Sequence, residues 1–279
     1  MVEQKLSIAS LQDQQSSHHN SKLFVEVSNH HIALLERNTN STTAFEYYEI
    51  NGSNGEWEGI FNATKNQSKI LINTYSNTLI YLNNGEALIV PSKKFQRESM
   101  DTFLTAIYGD TNNVFSQADL INIEDNPVTI YRCSASLNHT IKQNFVSFNY
   151  KNSYTKILEN LFSKDRMLME MIKVQFYRKS MLVVVIYNNQ LMLIQTYNYN
   201  SPEDVIYYLL NIVQEFNLSV KNTPIEVSGL IDVKSRHFEL LENIFGRLSL
   251  EVITNDNLFN SKLSGNEAHW YTPFYNLSI

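Results

Sequence analysis

The stretch from residue 181 to residue 218, MLVVVIYNNQLMLIQTYNYNSPEDVIYYLLNIVQEFNL, decides the fold. Its first half contains two apolar runs of strand length, which are separated by Asn188 and Asn189. Asparagine tolerates a positive φ angle, so this pair is typical of a tight hairpin turn between two antiparallel strands. The stretch therefore begins with a hairpin, and the run MIKVQFYRK just before it predicts a third strand of the same meander.

The second half of the stretch predicts an amphipathic helix. Ser201 is a suitable N-cap, Pro202 suits the first helical position, and Glu203 and Asp204 fall in the positively polarised first turn. The apolar positions form a broad stripe that should be buried: Val205, Ile206, Leu209, Leu210, Ile212, Val213 and Phe216. After this helix the sequence predicts a strand in TPIEVSGLID, a helix in SRHFELLENIFG and a strand in LSLEVI.

The first half of the chain repeats this plan. The runs KLFVEVSN, HIALLERN and TAFEYYEIN predict a meander, GEWEGIFNATKNQ a helix, and SKILINTY a strand. A hairpin at Asn83-Asn84-Gly85 should then lead into the strand EALIVPSKKF and the helix QRESMDTFLTAIYG. The repeat predicts an α/β protein with two ribonuclease H-like domains. We place a disordered tail at residues 1–21, the first domain with an irregular insertion at 22–165, and the second domain at 166–279.

The chain resembles an uncharacterised bacterial family whose members have an actin-like ATPase fold. The resemblance depends on the strand-to-helix passage with Asp204, on the pair Tyr207-Tyr208, and on Ser228-Gly229 at the end of the following strand. The run EALIVPSKKF in the first half is similar to the corresponding strand and proline turn of that family. The resemblance implies two ribonuclease H-like domains in the actin-like ATPase arrangement, and it implies no activity, because the family has none established.

Active actin-like ATPases hold the nucleotide and Mg²⁺ between their two domains, on hairpin turns that carry Asp and Gly. The Asp orients the hydrated metal and the Gly lets backbone N–H groups approach the phosphates. In this chain the corresponding turns are assigned to Ser-Asn-His-His at 28–31 and Tyr-Asn-Asn-Gln at 187–190, which lack both residue types. If a nucleotide binds, the candidate contacts are Asn29, Asn188, Ser228, Gly229 and Asp232.

Each of these candidates also has a structural interpretation that we favour. The asparagines suit tight turns, a single glycine at a strand end is typical of a turn, and Asp232 could cap the next helix. We therefore assign no catalytic residue, no metal ligand and no cofactor, and ATP with Mg²⁺ is disfavoured. The predicted function is a non-catalytic pseudo-ATPase that serves as a scaffold or regulatory protein. The alternative is a nucleotide-binding protein or weak ATPase with degenerate phosphate-binding turns.

The charge and the carboxylate content of the chain disfavour two classes of partner or substrate. A net charge of -6 and a pI of about 5.7 disfavour a nucleic-acid-binding face. A nuclease would need clustered carboxylates for two metals, and the core strands LFVEVSN and MLVVVIYNN offer only Glu26. The expected partner is therefore a protein or a second copy of the chain.

The cellular location and the C-terminus give two further expectations. The single cysteine, Cys133, and the lack of a signal peptide or membrane span predict a cytoplasmic protein. The C-terminal aromatic residues Trp270, Tyr271, Phe274 and Tyr275 should pack on the second domain, the alternative being a docking peptide for a partner.

Overall fold

The computed structural model describes residues 1–10, 21–39, 41–51, 56–163, 170–253, 255–263, 267 and 269–279. These residues form two compact units. Unit 1 contains Met1–Leu161 and Leu277–Ile279, and unit 2 contains Phe162–Asn276. The chain thus enters unit 2 slightly before the predicted boundary at residue 165, and its last three residues return to unit 1.

Unit 1 has a six-stranded sheet with the order β1-β4-β3-β2-β5-β9. Its strands are β1 (Val2–Ala9), β2 (Lys22–Val27), β3 (His31–Arg37), β4 (Thr42–Ile50), β5 (Thr78–Leu82) and β9 (Phe148–Asn152). Its helices are α1 (Trp57–Gln67), α2 (Met100–Tyr108), α3 (Ala135–Asn144) and α4 (Ser153–Leu161). The three strands β2, β3 and β4 form an antiparallel meander, and β5 and β9 are added to β2 in parallel.

Unit 2 has a five-stranded sheet with the order β12-β11-β10-β13-β14. Its strands are β10 (Glu170–Phe176), β11 (Ser180–Tyr187), β12 (Gln190–Asn198), β13 (Ile225–Gly229) and β14 (Leu248–Leu250). Its helices are α5 (Pro202–Glu215), α6 (Arg236–Ile244), α7 (Asn257–Lys262) and α8 (Thr272–Asn276). An antiparallel meander is again followed by two parallel strands, so both units share the ribonuclease H-like strand order.

The core of unit 2 explains why the decisive stretch folds as predicted. Strand β11 is buried from Met181 to Ile186, because one set of its side chains packs under α5 and α6. Helix α5 starts with the predicted cap: the N–H of Asp204 donates to Ser201 Oγ (3.2 Å), and the N–H of Ser201 donates to Asp204 Oδ2 (3.1 Å). This reciprocal capping box satisfies two helix-start donors.

The insertion in unit 1 is regular, contrary to the prediction. Strands β6 (Ala87–Val90), β7 (Val114–Leu120) and β8 (Val128–Ser134) form an antiparallel sheet with the order β6-β8-β7. Helix α2 packs on it and ends at Gly109, whose φ of 76° suits a glycine. The predicted hairpin at Asn83-Asn84-Gly85 is wrong, because β5 and β6 belong to different sheets.

The predicted N-terminal tail is wrong for its first residues. Strand β1 pairs antiparallel with β4, from Val2 opposite Ile50 to Ala9 opposite Ala44. Its side chains alternate between exposed and half-buried, which is the signature of an edge strand with one covered face. Residues 11–20 of the predicted tail lie outside the described residues.

The predicted strand SKILINTY is also wrong, because residues 68–75 form consecutive turns. Ser68 Oγ accepts from the N–H groups of Ile70 (3.1 Å) and Leu71 (2.9 Å), so these groups are not available to a neighbouring strand. Buried Glu46 fixes the same turn, since its carboxylate accepts from Ser68 Oγ (2.5 Å) and from the N–H of Lys69 (2.9 Å). Side-chain bonds of this kind compete with strand pairing.

The C-terminal aromatic run packs in unit 2, as predicted. Tyr271, Phe274 and Tyr275 are buried. The ring of Phe274 meets Tyr177 edge to face at 6.0 Å, and Trp270 Nε1 donates to the carbonyl of Ile231 (3.1 Å). Among the helices of the described chain, none combines the length and the apolar character that a membrane crossing requires.

Candidate functional site

The first candidate turn, residues 28–30, joins β2 to β3 in unit 1. Ser28 Oγ accepts from the backbone N–H groups of His30 (3.1 Å) and His31 (3.0 Å), and the N–H of Ser28 donates to the carbonyl of His31 (3.0 Å). Phosphate-binding turns leave their backbone N–H groups pointing at the ligand. In this turn two of those donors are already bound to the serine side chain.

A buried polar network extends from this turn into the sheet. Ser28 Oγ lies 2.7 Å from His31 Nδ1, and His31 Nε2 lies 3.0 Å from Glu26 Oε2. The other carboxylate oxygen, Glu26 Oε1, accepts from Asn83 Nδ2 (3.2 Å) and Ser153 Oγ (2.8 Å). These five side chains are buried, so the network satisfies groups that would be costly to leave without partners.

The order serine, histidine, carboxylate is also that of a nucleophilic relay. Two observations favour a bracing role instead. Ser28 Oγ already accepts two backbone hydrogen bonds, and both ring nitrogens of His31 are engaged inside the turn and the strand. We interpret the network as the device that fixes the β2–β3 turn on β5 and α4.

A cavity of about 170 Å³ lies beside this turn in unit 1. It is found where β2 and β5 end, so Val27, Ser28 and Asn29 line one side and Leu82 another. The carboxyl ends of adjacent parallel strands are the usual place for a ligand in α/β folds. Of the five candidate contacts, Asn29 alone lines this cavity.

Two charged side chains, Arg132 of β8 and Glu86, line the wall of the cavity. Arg132 Nη2 donates to the carbonyl of Gly109 (2.6 Å) and to Thr105 Oγ1 (3.1 Å), and its Nη1 lies 3.4 Å from Glu86 Oε2. Only 5% of the Arg132 side chain is exposed. The guanidinium therefore secures α2 to the inserted sheet, and its charge is largely committed before any ligand arrives.

The strand order corrects the choice of the second candidate turn. The counterpart of the β2–β3 turn in unit 2 is the β10–β11 turn, residues 177–179, because β10 and β2 hold the same place in their sheets. The turn at Asn188 and Asn189 joins β11 to β12, at the opposite end of β10. With φ angles of 49° and 59°, these two residues make the tight hairpin that the sequence predicts.

Asn188 is consequently far from the other candidates of unit 2. Strand β10 begins at Glu170, which pairs with Tyr187, and ends at Phe176, which pairs with Gly229. Seven extended residues span roughly 20 Å, so Asn188 and Gly229 lie near opposite ends of the sheet. The structure therefore does not bring Asn188 together with Ser228, Gly229 and Asp232.

Ser228 belongs to a buried ionic cluster. Its Oγ donates to Glu251 Oε2 (3.0 Å), and Glu251 Oε1 lies 2.5 Å from Nζ of Lys173. The same ammonium group is 3.0 Å from Glu226 Oε2, and Asn276 Nδ2 donates to Glu251 Oε1 (2.9 Å). With Ser228 only 1% exposed, its hydroxyl holds β13 to the segment after β14.

Gly229 is required by packing. Its φ is 90°, and a Cβ atom built on it would lie 2.1 Å from the carbonyl oxygen of Phe176. Its N–H donates to the carbonyl of His269 (2.9 Å), and the N–H of Leu230 donates to the carbonyl of Phe176 (2.8 Å). The glycine thus lets the chain turn tightly against the end of β10.

Asp232 does not cap α6, contrary to the helix-cap interpretation. The N-cap is Ser235, whose Oγ accepts from the N–H of Phe238 (3.4 Å). Asp232 Oδ1 accepts from the N–H of Lys234 (2.8 Å), and its carbonyl accepts from the N–H of Ser235 (2.9 Å). Asp232 therefore forms the Asx turn that leads into the helix.

Across the part of the chain that the structure describes, no group of three or more His, Cys, Asp and Glu side chains could hold a metal ion. The sequence-based reasoning missed two features of the site. The first is the buried Glu26–His31–Ser28 network, for which the spacing of Ser28 and His31 on either side of a turn was the available signal. The second is the basic pair Arg178-Lys179 in the β10–β11 turn.

Two units with the same ribonuclease H-like strand order define an actin-like ATPase fold, and solved structures share it. A Bacteroides thetaiotaomicron protein described as having an actin-like ATPase fold and unknown function matches with a TM-score of 0.77 and 15% identity. The match covers 94% of this chain and 97% of that one. A chain of the PilM–PilN type IV pilus biogenesis complex matches with a TM-score of 0.60 and 11% identity, over 92% of this chain and 96% of its own length.

The chain belongs to the family described as "Protein of unknown function (DUF3822)", whose sequence profile matches residues 10–246. No curated protein matches the sequence. The family resemblance and the predicted fold class, two ribonuclease H-like domains of actin-like ATPase type, are therefore both confirmed.

Proposed function

We propose that this protein is a cytoplasmic pseudo-ATPase: a scaffold or regulatory protein that uses the actin-like fold for protein–protein interaction and does not hydrolyse ATP. The main support for the proposal is that backbone N–H groups of the β2–β3 turn are already hydrogen-bonded within the turn. Ser28 Oγ occupies two backbone N–H groups there, and neither a carboxylate nor a glycine is present in residues 28–30. Phosphoryl transfer depends on metal and electrostatic positioning, for which this turn offers no group.

The β10–β11 turn supports the same proposal, since Tyr177, Arg178 and Lys179 again include no carboxylate or glycine. The N–H of Tyr177 donates to the carbonyl of Ser180 (2.8 Å), and the carbonyl of Lys179 accepts from the N–H of Tyr199 (3.1 Å). Several backbone groups of this turn are thus engaged within unit 2. The N–H of Tyr177 is therefore not available to a phosphate.

The basic pair in this turn also favours the second candidate function, a nucleotide-binding protein with unorthodox turns. Arg178 and Lys179 are exposed, and their positive charges could attract a polyphosphate without a metal-binding aspartate. In that case Gly229 would remain a candidate contact, because it pairs with Phe176 at the start of this turn. Asn29 would remain a separate candidate in the β2–β3 turn of unit 1.

Thermal unfolding with Mg²⁺-ATP tests the proposal. A ligand that binds only the folded protein at a hundredfold excess over Kd stabilises it by about 2.7 kcal/mol. We expect millimolar Mg²⁺-ATP to give the same melting temperature as Mg²⁺ alone. A rise of several degrees would contradict the pseudo-ATPase proposal.

A pair of variants identifies the cause of any such rise. If the rise disappears in the Arg178→Gln, Lys179→Gln double variant, the nucleotide-binding alternative holds. The matched control is Lys93→Gln, Lys94→Gln, which removes the same charge from an exposed turn in the inserted subdomain. The control variant should retain any response that wild type shows.

A further inference from the structure

Strand β12 leaves one edge of the sheet of unit 2 open. It is the first strand in the order β12-β11-β10-β13-β14, and among the described residues no strand pairs with its outer side. Its nine residues, QLMLIQTYN, include no charged residue and no proline. Charged residues and prolines usually protect natural edge strands, because the outward N–H and C=O groups of an edge strand can pair with another strand. A long uncharged edge is therefore a surface that invites strand addition.

The duplication inside this chain shows that the fold accepts a strand at this position. The counterpart of β12 in unit 1 is β4, since each is the third strand of its meander. In unit 1 this edge is covered by β1, which runs antiparallel along nearly all of β4. In the described part of unit 2 the same edge has no covering strand.

The side chains around β12 are suited to a protein surface. Tyr197 of β12 and Tyr208 of α5 have ring centroids 4.8 Å apart, and the Tyr207 ring follows at 5.7 Å from Tyr208. Tyr207 is 64% exposed, and Met192 on the strand is 42% exposed. Tyrosine and methionine are enriched in interfaces because they offer large contact areas and adaptable packing.

We propose that two copies of this chain associate by antiparallel pairing of β12 with β12 about a two-fold axis, which would join two five-stranded sheets into one. A two-fold axis places each segment opposite itself, so a charged strand would repel its copy, whereas β12 has no charge to oppose. A register centred on Gln195 sets Leu193 of one copy opposite Tyr197 of the other. Both side chains pack on the α5 face of the sheet, where an apolar cross-strand pair stabilises the contact.

The inference goes beyond the proposed function, because β12 can pair with its copy whether or not ATP binds. The experiment is a charge exchange at Gln195, which would face its own copy across the axis. Wild-type protein should sediment at about 100 µM as a species of twice the 32.3 kDa chain mass. Gln195→Lys alone and Gln195→Glu alone should each sediment at the mass of one chain. An equimolar mixture of the two should regain the double mass, because opposite charges then face each other.

The matched control is Gln214→Lys, the same chemical change on the exposed face of α5, which should leave the double mass unchanged. A wild-type protein that sediments as a single chain would overturn the proposal. So would a dimer that both Gln195 variants leave intact. Hydrogen exchange of the wild-type protein tests the same β12 pairing without a substitution. Slower exchange of β12 amides at high than at low protein concentration supports the pairing, and unchanged exchange contradicts it.

Discussion

Replacement of Gly229 by alanine should show whether this glycine serves packing or a ligand. The φ of 90° at Gly229 costs an alanine roughly 1–2 kcal/mol, because its Cβ crowds its own backbone. The new Cβ would also lie 2.1 Å from the carbonyl oxygen of Phe176, a backbone atom that can move only if the end of β10 moves. The sum should exceed about 4 kcal/mol, which is in the range of severe core substitutions.

Gly109→Ala provides the matched control. Gly109 has a φ of 76°, but no atom outside Gly109 and its two chain neighbours lies within 4 Å of its would-be Cβ. This variant should lose only the conformational part, roughly 1–2 kcal/mol.

Thermal unfolding followed by circular dichroism measures both variants without added nucleotide. At about 2–4 °C per kcal/mol, Gly229→Ala should melt at least 8 °C below wild type, and Gly109→Ala clearly less far below it. Equal and small losses in the two variants would refute the packing argument. A ligand, and not packing, would then be the better explanation for a glycine at position 229.

Three further predictions follow from single contacts. Ser201→Ala should lower stability by about 1 kcal/mol, measured by urea unfolding, because it removes the side-chain half of the capping box; a loss below 0.3 kcal/mol would contradict the capping role. Lys173→Met should cost roughly 3 kcal/mol in the same assay, since it leaves the partly buried carboxylates of Glu226 and Glu251 without their cation; a neutral result would show that water replaces the ammonium group. Burial raises the pKa of the Cys133 thiol to about 12 from its usual 9.0. At pH 8 its thiolate fraction, and hence its alkylation rate in native protein, should therefore be about a thousandfold below that of an ordinary thiol. Rapid alkylation that urea does not accelerate would contradict this.

The sequence predicted the fold of unit 2 well because its periodic signals are strong. The run that became β11 is apolar throughout, and α5 carries a cap, a proline and a full apolar stripe. The predictions failed where side chains override local propensity. The apolar run at residues 68–75 is held in turns by Ser68 and Glu46, and Glu46 comes from a distant strand, which no local pattern reveals.

The candidate site was harder to predict than the fold, because it depends on the end of the sheet at which each hairpin turn lies. The turn at Asn188 has a stronger sequence signal than the turn at residues 177–179, since two asparagines mark a hairpin and Tyr-Arg-Lys does not. Only the strand order shows that the less conspicuous turn is the counterpart of the β2–β3 turn. Strand β1 was not predicted because its sequence signal is also weak: its alternating run is short and polar residues follow it.

The most direct test of the central claim, that neither counterpart turn binds a nucleotide phosphate, is a calorimetric titration of the full chain with ATP in the presence of Mg²⁺. The account predicts no saturable heat at ligand concentrations up to about 1 mM, which corresponds to a binding free energy weaker than about -4 kcal/mol. A one-to-one isotherm with a Kd in the micromolar range would contradict it. Such binding would show that turns without Asp or Gly do not prevent this chain from holding a nucleotide.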